Sequence, residues 1–338
     1  MIITMKEDAT REEIARVIEK IKALRFEPHI DTGSKLAVIG VRGDTSKLEA
    51  DEFYQLPGVA SVARVSKQYK EVSREFRSRD TVLNIGGHKV GGEHPPFIIA
   101  GPCTVETREQ VMLTAAEVKS AGAVALRGGA YKPRSSPYSF QGLGEEGLKI
   151  LAEARETFGM PIVTEIKEIG TLDLFAKYDI DVYQVGARNM QNYDLLQKLG
   201  QVGKPVLLKR GPANSIDEWL LSAEYIMANG NPQVILCERG ILPPIGSKLR
   251  YTFDVGAIPV ARELSHLPVI ADPSHAAGRW NYVLPLARAA LAAGAHGIIV
   301  EVHPNPTEAL CDGPQALKPA RFRGFMEEVR ALYASSQA

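Results

Sequence analysis

Cysteine is scarce in this 338-residue chain, which carries only Cys103, Cys237 and Cys311. An odd, dispersed set cannot form a disulfide framework, so a cysteine that matters here matters for its chemistry. Net charge is absent too: 40 Lys plus Arg balance 40 Asp plus Glu. That removes the global field that would draw in nucleic acid or an anionic membrane. No apolar run reaches the roughly 18 residues of a membrane span, and the opening MIITMKEDATREE lacks the apolar stretch of a secretory signal. A cytoplasmic protein is expected, with neither nucleic acid nor membrane as partner. GxxxxGK followed by Ser or Thr is missing, which counts against a P-loop site.

What is present is enough apolar residue, 45% of the chain, for a large core, and a length that predicts about two domains at roughly 150 residues each. In order, the first part shows an apolar run at Ile2 to Met5, an amphipathic helix pattern at Arg11 to Leu24, apolar runs at Phe26 to Ile30 and Leu36 to Val41, a helical stretch at Thr45 to Leu56 and a last run at Val59 to Val65. That order, βαββαβ with a turn at Asp31-Thr32-Gly33, is the ferredoxin-like arrangement. The charged segment KQYKEVSREFRSRD reads as a linker. The expected division is a small domain over 1–66, a linker over 67–80 and the remainder over 81–338.

After a hairpin signalled by Gly86-Gly87 and Gly91-Gly92, eight short apolar runs alternate with helical patterns: 96–103, 123–128, 161–166, 182–187, 205–210, 234–240, 268–275 and 297–304. Ser215 to Asn229 and Trp280 to Ala293 are two of those helical patterns. Eight βα units predict a (β/α)8 barrel, with an open doubly wound sheet as the alternative. Barrel enzymes place their chemistry at the C-terminal ends of the strands. Those ends carry Cys103, Arg127, Glu165, Arg188, Lys209, Arg239, His275 and Glu301. One charged strand end is ordinary solvation, but eight reactive or ionic ends converging on one face require another explanation.

The set divides in two. Cys103, His275 and Glu301, with Asp312 in the loop after the last run, offer a thiolate, an imidazole and two carboxylates. A mixed S, N, O, O set suits a divalent ion such as Mn, Fe, Zn or Co and does not choose among them. The other group, Arg127, Lys132, Arg134, Arg188, Lys209 and Arg239, would repel itself unless an anion sat among it. Arginine's planar fork matches phosphate and carboxylate. The loop GGAYKPRSSPYSFQGLG, with two of these cations, reads as a substrate loop. His29, His88, His94, His266 and His296 read as surface or packing residues, whereas His303, two residues past Glu301, falls on the same strand face.

The motifs AGPC, LRGGAYKPRSSPYSFQGLG, QVGARNMQN, LLKRG, LCERG, DPSH and VEVHP resemble those of 3-deoxy-D-arabino-heptulosonate 7-phosphate (DAHP) synthases. The likeness is to members with an N-terminal ferredoxin-like regulatory domain. It implies a (β/α)8 TIM barrel preceded by that small domain, and condensation of phosphoenolpyruvate with D-erythrose 4-phosphate at the start of the shikimate pathway. It places divalent metal ligands on Cys103, His275, Glu301 and Asp312, and phosphoenolpyruvate contacts on Arg127, Lys132, Glu165, Arg188, Lys209 and Arg239. The sugar phosphate falls on Arg134 and Ser135, where the family usually has Thr after the Arg. The resemblance assigns proton donation or charge stabilisation to Lys132, and it implies a homotetramer with an aromatic amino acid effector, Tyr or Phe, at the small domain.

Two places depart from the pattern. GILPPIGSKLRYTFDVGAIP, after Arg239, resembles the family only at its ends, and Asp31 stands where Ser is frequent, which leaves the effector open. The nearest competitor is 3-deoxy-manno-octulosonate 8-phosphate synthase, which takes arabinose 5-phosphate; Pro133-Arg134 favours erythrose 4-phosphate. A Schiff-base aldolase using Lys132 or Lys209, and an amino-acid-responsive protein without catalysis, are the readings from other classes. Cys311 beside Asp312 also raises the prospect of a redox pair with Cys103.

Overall fold

The computed structural model describes residues 1–32, 37–42, 45, 48–63, 68–245 and 247–336. The chain divides into two compact units, Met1–Asp80 with Leu264–His266, and Thr81–Glu263 with Leu267–Ala338.

The first unit is a four-stranded antiparallel sheet. Its strands are β1 (Ile2–Met5), β2 (Glu27–Thr32), β3 (Ala37–Arg42) and β4 (Val59–Ala63), in the order β2-β3-β1-β4. Helix α1 (Arg11–Ala23) starts where Thr10 accepts from the Glu13 N–H while the Glu13 carboxylate accepts from the Thr10 N–H, a reciprocal cap. Val17 and Ile21, one turn apart, point into a core with Ile3, Met5, Ile39 and Phe53. Helix α2 is only Asp51–Tyr54, much shorter than the stretch expected from Thr45. Ala50 precedes it without a side-chain cap, and Gly43, Asp44, Ser46 and Lys47 lie outside the described residues, as do Gly33 of the expected turn and Arg64 and Val65 of the last run. In residues 68–80, Tyr69, Val72 and Phe76 are buried. Gly40 of β3 leaves the space Phe76 occupies, because a Cβ there would sit 2.1 Å from its ring.

The second unit opens with a hairpin, β5 (Leu83–Ile85) and β6 (His88–Val90), turned by Gly86 and Gly87, both at positive φ. Consecutive positive φ values are what a two-residue hairpin turn demands. Eight parallel strands follow: β7 (Phe97–Gly101), β8 (Ala125–Arg127), β9 (Ile162–Glu165), β10 (Val182–Val185), β11 (Val206–Lys209), β12 (Val234–Glu238), β13 (Val269–Ala271) and β14 (Gly297–Glu301). Each pairs with its successor, and β14 closes on β7 from Gly297 opposite Phe97 to Glu301 opposite Gly101. Strands buried on both faces read as continuous apolar runs rather than alternating ones, which is how they announce themselves here. Inward residues including Phe97, Ile99, Val163, Leu207, Ile235, Ile270 and Ile299 form one core with Leu83, Ile85 and Val90 of the hairpin, filling the barrel and leaving the other end of the strands to the site.

The helices are α3 (Arg108–Ala121), α4 (Glu145–Phe158), α5 (Leu172–Lys177), α6 (Tyr193–Gly200), α7 (Ile216–Ala228), α8 (Ala257–Leu264), α9 (Pro273–Ala277), α10 (Val283–Ala292) and α11 (Pro319–Ser336). Helix α7 begins with another reciprocal cap, Ser215 with Glu218, and α3 ends on Gly122 at φ 102°, a left-handed stop that glycine adopts without penalty. The five-residue α9 is additional to the alternating pattern and delivers His275. Among the described residues no helix is long and apolar enough to cross a membrane.

Candidate active site

Cys103 is fixed just past β7 by pairing that outlasts the strand. Its carbonyl accepts from the Gly129 N–H, and the Gly129 carbonyl accepts from the Val105 N–H. Gly101, at φ 155°, permits this approach, since a Cβ would lie 2.1 Å from the Arg127 carbonyl oxygen. Two strands round the barrel, after β13, Asp272 caps α9 by accepting from the His275 N–H at 3.0 Å. Its other oxygen accepts from His275 Nδ1 at 2.7 Å. With Nδ1 donating, Nε2 turns its lone pair toward the strand ends. Ser274 Oγ accepts from the Glu301 N–H at 3.0 Å, aligning β14 with α9. Asp312 arrives from the loop after β14 in a left-handed conformation, φ 52°.

Four donors meet there. One ligand atom each from Cys103, His275, Glu301 and Asp312 lies within 4.8 Å of the others. Cys103 Sγ is 3.3 Å from Asp312 Oδ2, and His275 Nε2 is 3.3 Å from Glu301 Oε1 and 3.7 Å from Asp312 Oδ2. Burial holds the His275 pKa down to about 4, so the ring is neutral and able to ligate at neutral pH. Glu301 Oε1 is buried and accepts no hydrogen bond, a costly state for a carboxylate oxygen that a cation would relieve. Burial alone would raise the pKa of both Glu301 and Asp312. In the acid range where these carboxyls titrate the His275 ring is itself charged; it and Arg127 outweigh burial at Glu301, and it, Lys132 and Arg250 outweigh burial at Asp312, so both carboxyls stay below their ordinary values. The donor chemistry and the orphaned oxygen fit a divalent metal ion.

A cleft of about 340 Å³ opens beside this cluster, walled by Lys132, Arg134, Ser135, Glu165, Arg188, Lys209 and Arg239, with His275 and Asp312 at its base. Lys132 stands between the two parts, its Nζ 2.9 Å from Cys103 Sγ and 3.7 Å from Asp312 Oδ2. Burial by itself would lower its pKa; the surrounding thiols and carboxylates reverse this and raise it, keeping it an ammonium. Lys209 Nζ is held by Asp272 Oδ2 at 2.5 Å. Arg127 lies behind the cleft, buried, 3.3 Å from Glu301 Oε1, and donates to the Pro102 and Cys103 carbonyls. Among the described residues Arg134, Arg188 and Arg239 face no carboxylate within 4 Å. Arg188 reaches only Ser135 Oγ, at 3.5 Å, and Arg239 stacks on the Tyr251 ring at 3.8 Å. Glu165 accepts from Gln184 at 3.4 Å and occupies space that Gly186 leaves open, since a Cβ there would be 2.1 Å from its carboxylate.

Several participants carried no signal of their own in the sequence. Asp272 stood inside the DPSH motif as a bystander to His275. Arg250 and Tyr251 lie in the segment whose double proline obscured it; that segment is tied at its neck by mutual backbone bonds between Ile241 and Thr252. Gln315 Nε2 donates to Glu301 Oε2 at 2.7 Å. His303, on the strand face of Glu301 by spacing, turns to Glu106 instead, with Nε2 to Oε2 at 3.3 Å.

A closed parallel barrel with its reactive and ionic residues gathered at the strand C-termini defines a (β/α)8-barrel enzyme. The chain belongs to the DAHP synthetase I family, whose profile matches residues 70–335, while the DAHP synthase ferredoxin-like domain matches residues 1–67. It is 50% identical over 332 residues, 98% of this chain and 97% of the other, to phospho-2-dehydro-3-deoxyheptonate aldolase of Thermotoga maritima. The crystal structure of that Thermotoga DAHP synthase superposes with a TM-score of 0.78 at 49% identity, covering 99% of this chain and 97% of that one. A 2-dehydro-3-deoxyphosphooctonate aldolase of Acidithiobacillus ferrooxidans is 33% identical over 262 residues, 72% of this chain and 92% of its own.

Proposed function

We propose that this chain is a divalent-metal-dependent DAHP synthase, joining phosphoenolpyruvate to D-erythrose 4-phosphate with release of inorganic phosphate at the entry to the shikimate pathway. One observation carries the reading: a largely buried donor set, Cys103, His275, Glu301 and Asp312 within 4.8 Å, abuts a cleft whose Arg134, Arg188 and Arg239 face no carboxylate among the described residues. That arrangement suits a metal acting beside a doubly anionic substrate.

In the reaction C3 of phosphoenolpyruvate bonds to the aldehyde carbon, water adds at C2, and phosphate leaves with its bridging oxygen as that C–O bond breaks. A Mn, Fe, Zn or Co ion held by the four donors would supply Lewis acidity at the aldehyde oxygen, where negative charge develops. Arg188, Lys209 and Arg239 hold the carboxylate and phosphate of phosphoenolpyruvate in register, supplying positioning and charge stabilisation. Arg127, behind them, secures Glu301 through its 3.3 Å contact. Arg134 and Ser135 take the phosphate of the sugar. Lys132, an ammonium between the two reactants, donates a proton to the new alkoxide or stabilises its charge. Glu165 on the cleft wall receives a proton from the entering water. A Schiff-base route would need a neutral lysine amine, and the raised pKa of Lys132 and the Asp272 ion pair of Lys209 both oppose it.

The ferredoxin-like unit supplies the second part of the proposal, an aromatic amino acid effector, Tyr or Phe, and the family likeness supplies a homotetramer. One experiment tests substrate, metal dependence and regulation together: phosphate release from phosphoenolpyruvate with erythrose 4-phosphate or arabinose 5-phosphate, with and without chelator, and with Tyr or Phe added. The expected result is turnover with erythrose 4-phosphate, lost to chelator and restored by metal. Preference for arabinose 5-phosphate, or turnover indifferent to chelation, overturns it.

A further inference from the structure

Each carboxylate in the donor cluster has one oxygen turned inward and the other turned away. The inward oxygens are Glu301 Oε1 and Asp312 Oδ2, which face His275 Nε2 at 3.3 and 3.7 Å. The outward oxygens are joined by a chain of hydrogen bonds. Gln315 Nε2 donates to Glu301 Oε2 at 2.7 Å. Gln315 Oε1 accepts from Arg250 Nη1 at 2.8 Å, and the same Nη1 donates to Asp312 Oδ1 at 3.1 Å.

We propose that Gln315 is a positioning residue for the metal site, orienting Glu301 directly and Asp312 through Arg250 so that each presents one oxygen to the ion. The inference rests on the metal-dependent reading above. It stands on the chemistry of the amide. A carboxylate accepts only and a guanidinium donates only, so the side chain fits in one orientation, NH2 to Glu301 and C=O to Arg250. The reverse placement would set donor against donor and acceptor against acceptor. Gln315 is also buried, 2% exposed, and sits in the short turn Gly313–Gln315 immediately after Asp312. One loop thus supplies both a ligand and the group that orients a second ligand from β14. Arg250 contributes a positive charge that by itself opposes a cation, so the orienting effect is most cleanly read at neutral Gln315. Outer-shell partners of this kind typically set metal affinity by 10–100-fold.

The test uses the full-length chain stripped of metal. Zn2+ affinity is measured by competition with a chromophoric chelator, and the visible spectrum is recorded after Co2+ loading, for the wild-type chain and for Gln315→Leu, which removes both hydrogen bonds at similar volume. The expected result is a Zn2+ Kd raised roughly 10–100-fold and altered Co2+ bands, with the metal-free protein still folding cooperatively, at a lowered melting temperature, and its affinity for inorganic phosphate unchanged. Should Gln315→Leu not fold, Gln315→Asn, too short to span both partners, is expected to show the same loss. A Kd within about threefold of wild type, well short of that range, with an unaltered Co2+ spectrum overturns the role of Gln315. Failure of the wild-type chain itself to bind Zn2+ or Co2+ overturns the metal reading and this inference with it.

Discussion

Asp272 holds Lys209 and His275 with a single oxygen: Oδ2 lies 2.5 Å from Lys209 Nζ and 2.7 Å from His275 Nδ1. One carboxylate therefore stabilises a cation of the anion-binding wall and fixes the ring that faces the metal cluster. Asp272 and Lys209 are buried, 0% and 4% exposed, and removing one member of a buried pair strands the other's charge. Asp272→Asn is expected to cost about 3–5 kcal/mol of stability and to weaken metal binding roughly 10–100-fold. Denaturant unfolding and chelator competition read the two effects. A loss below about 1 kcal/mol, far under the cost of stranding a buried charge, with unchanged metal affinity would show that the shared oxygen does neither job.

The donor cluster predicts that Cys103→Ala abolishes phosphate release while the barrel remains folded. The thiol packs few atoms against the fold but supplies the one sulfur among the four donors. Activity assays and far-ultraviolet circular dichroism separate the two outcomes; full activity in this variant without added metal would sink the metal site.

Arg134, Arg188 and Arg239, without carboxylate partners among the described residues, predict an anion site that binds before any chemistry occurs. Inorganic phosphate at about 30 times its Kd should raise stability by roughly 2 kcal/mol through mass action, seen as a higher melting temperature. Arg239→Ala should weaken that protection. If phosphate leaves wild-type melting unmoved, the cationic wall is not an anion site.

The barrel was legible because parallel strands buried on both faces must be apolar throughout, so each strand showed as a short unbroken run with a site residue at its end or within a few residues beyond it. The ferredoxin-like unit was legible in its alternation of runs and the amphipathic pattern of its first helix. Less visible was anything set by contact rather than period. Helix α2 holds only Asp51–Tyr54, because a single aromatic anchor, Phe53, and an uncapped start do not sustain the longer helix that the residue pattern suggested. Gln315 and Arg250 are ordinary polar residues until the loop brings one beside Glu301 and the other beside Asp312; nothing in their spacing from either ligand announces this.

Gly101 offers a test of how the fold sets the site. Its φ is 155°, and a Cβ added there would stand 2.1 Å from the Arg127 carbonyl oxygen, so Gly101→Ala must both strain the backbone and part β7 from β8. The expected loss is about 2–5 kcal/mol, combining overpacking with an unfavourable conformation. Because Cys103 follows two residues later, metal affinity should fall as well. A variant as stable as wild type in urea would show that the two strands can separate freely there.

Cys103 Sγ and Cys311 Sγ lie 3.3 Å apart, both buried. Burial raises the Cys103 thiol well above its usual pKa in the metal-free site, while its hydrogen bond to Cys311 lowers that partner, so Cys311 is the more readily ionised of the two. A disulfide requires the sulfurs to close by about 1.3 Å, to the usual bond length near 2.05 Å. Metal at Cys103 would exclude that bond, and the bond would remove a metal ligand. Diamide treatment of the metal-free protein is therefore expected to take two electrons and two protons from the pair, giving a peptide linked through Cys103 and Cys311 on non-reducing mass spectrometry. Activity should not return on adding metal until a thiol reductant is supplied. Protein loaded with metal beforehand, and Cys311→Ser, should both resist. Metal-free protein that regains full activity after diamide and metal, without reductant, would show that the two sulfurs do not pair.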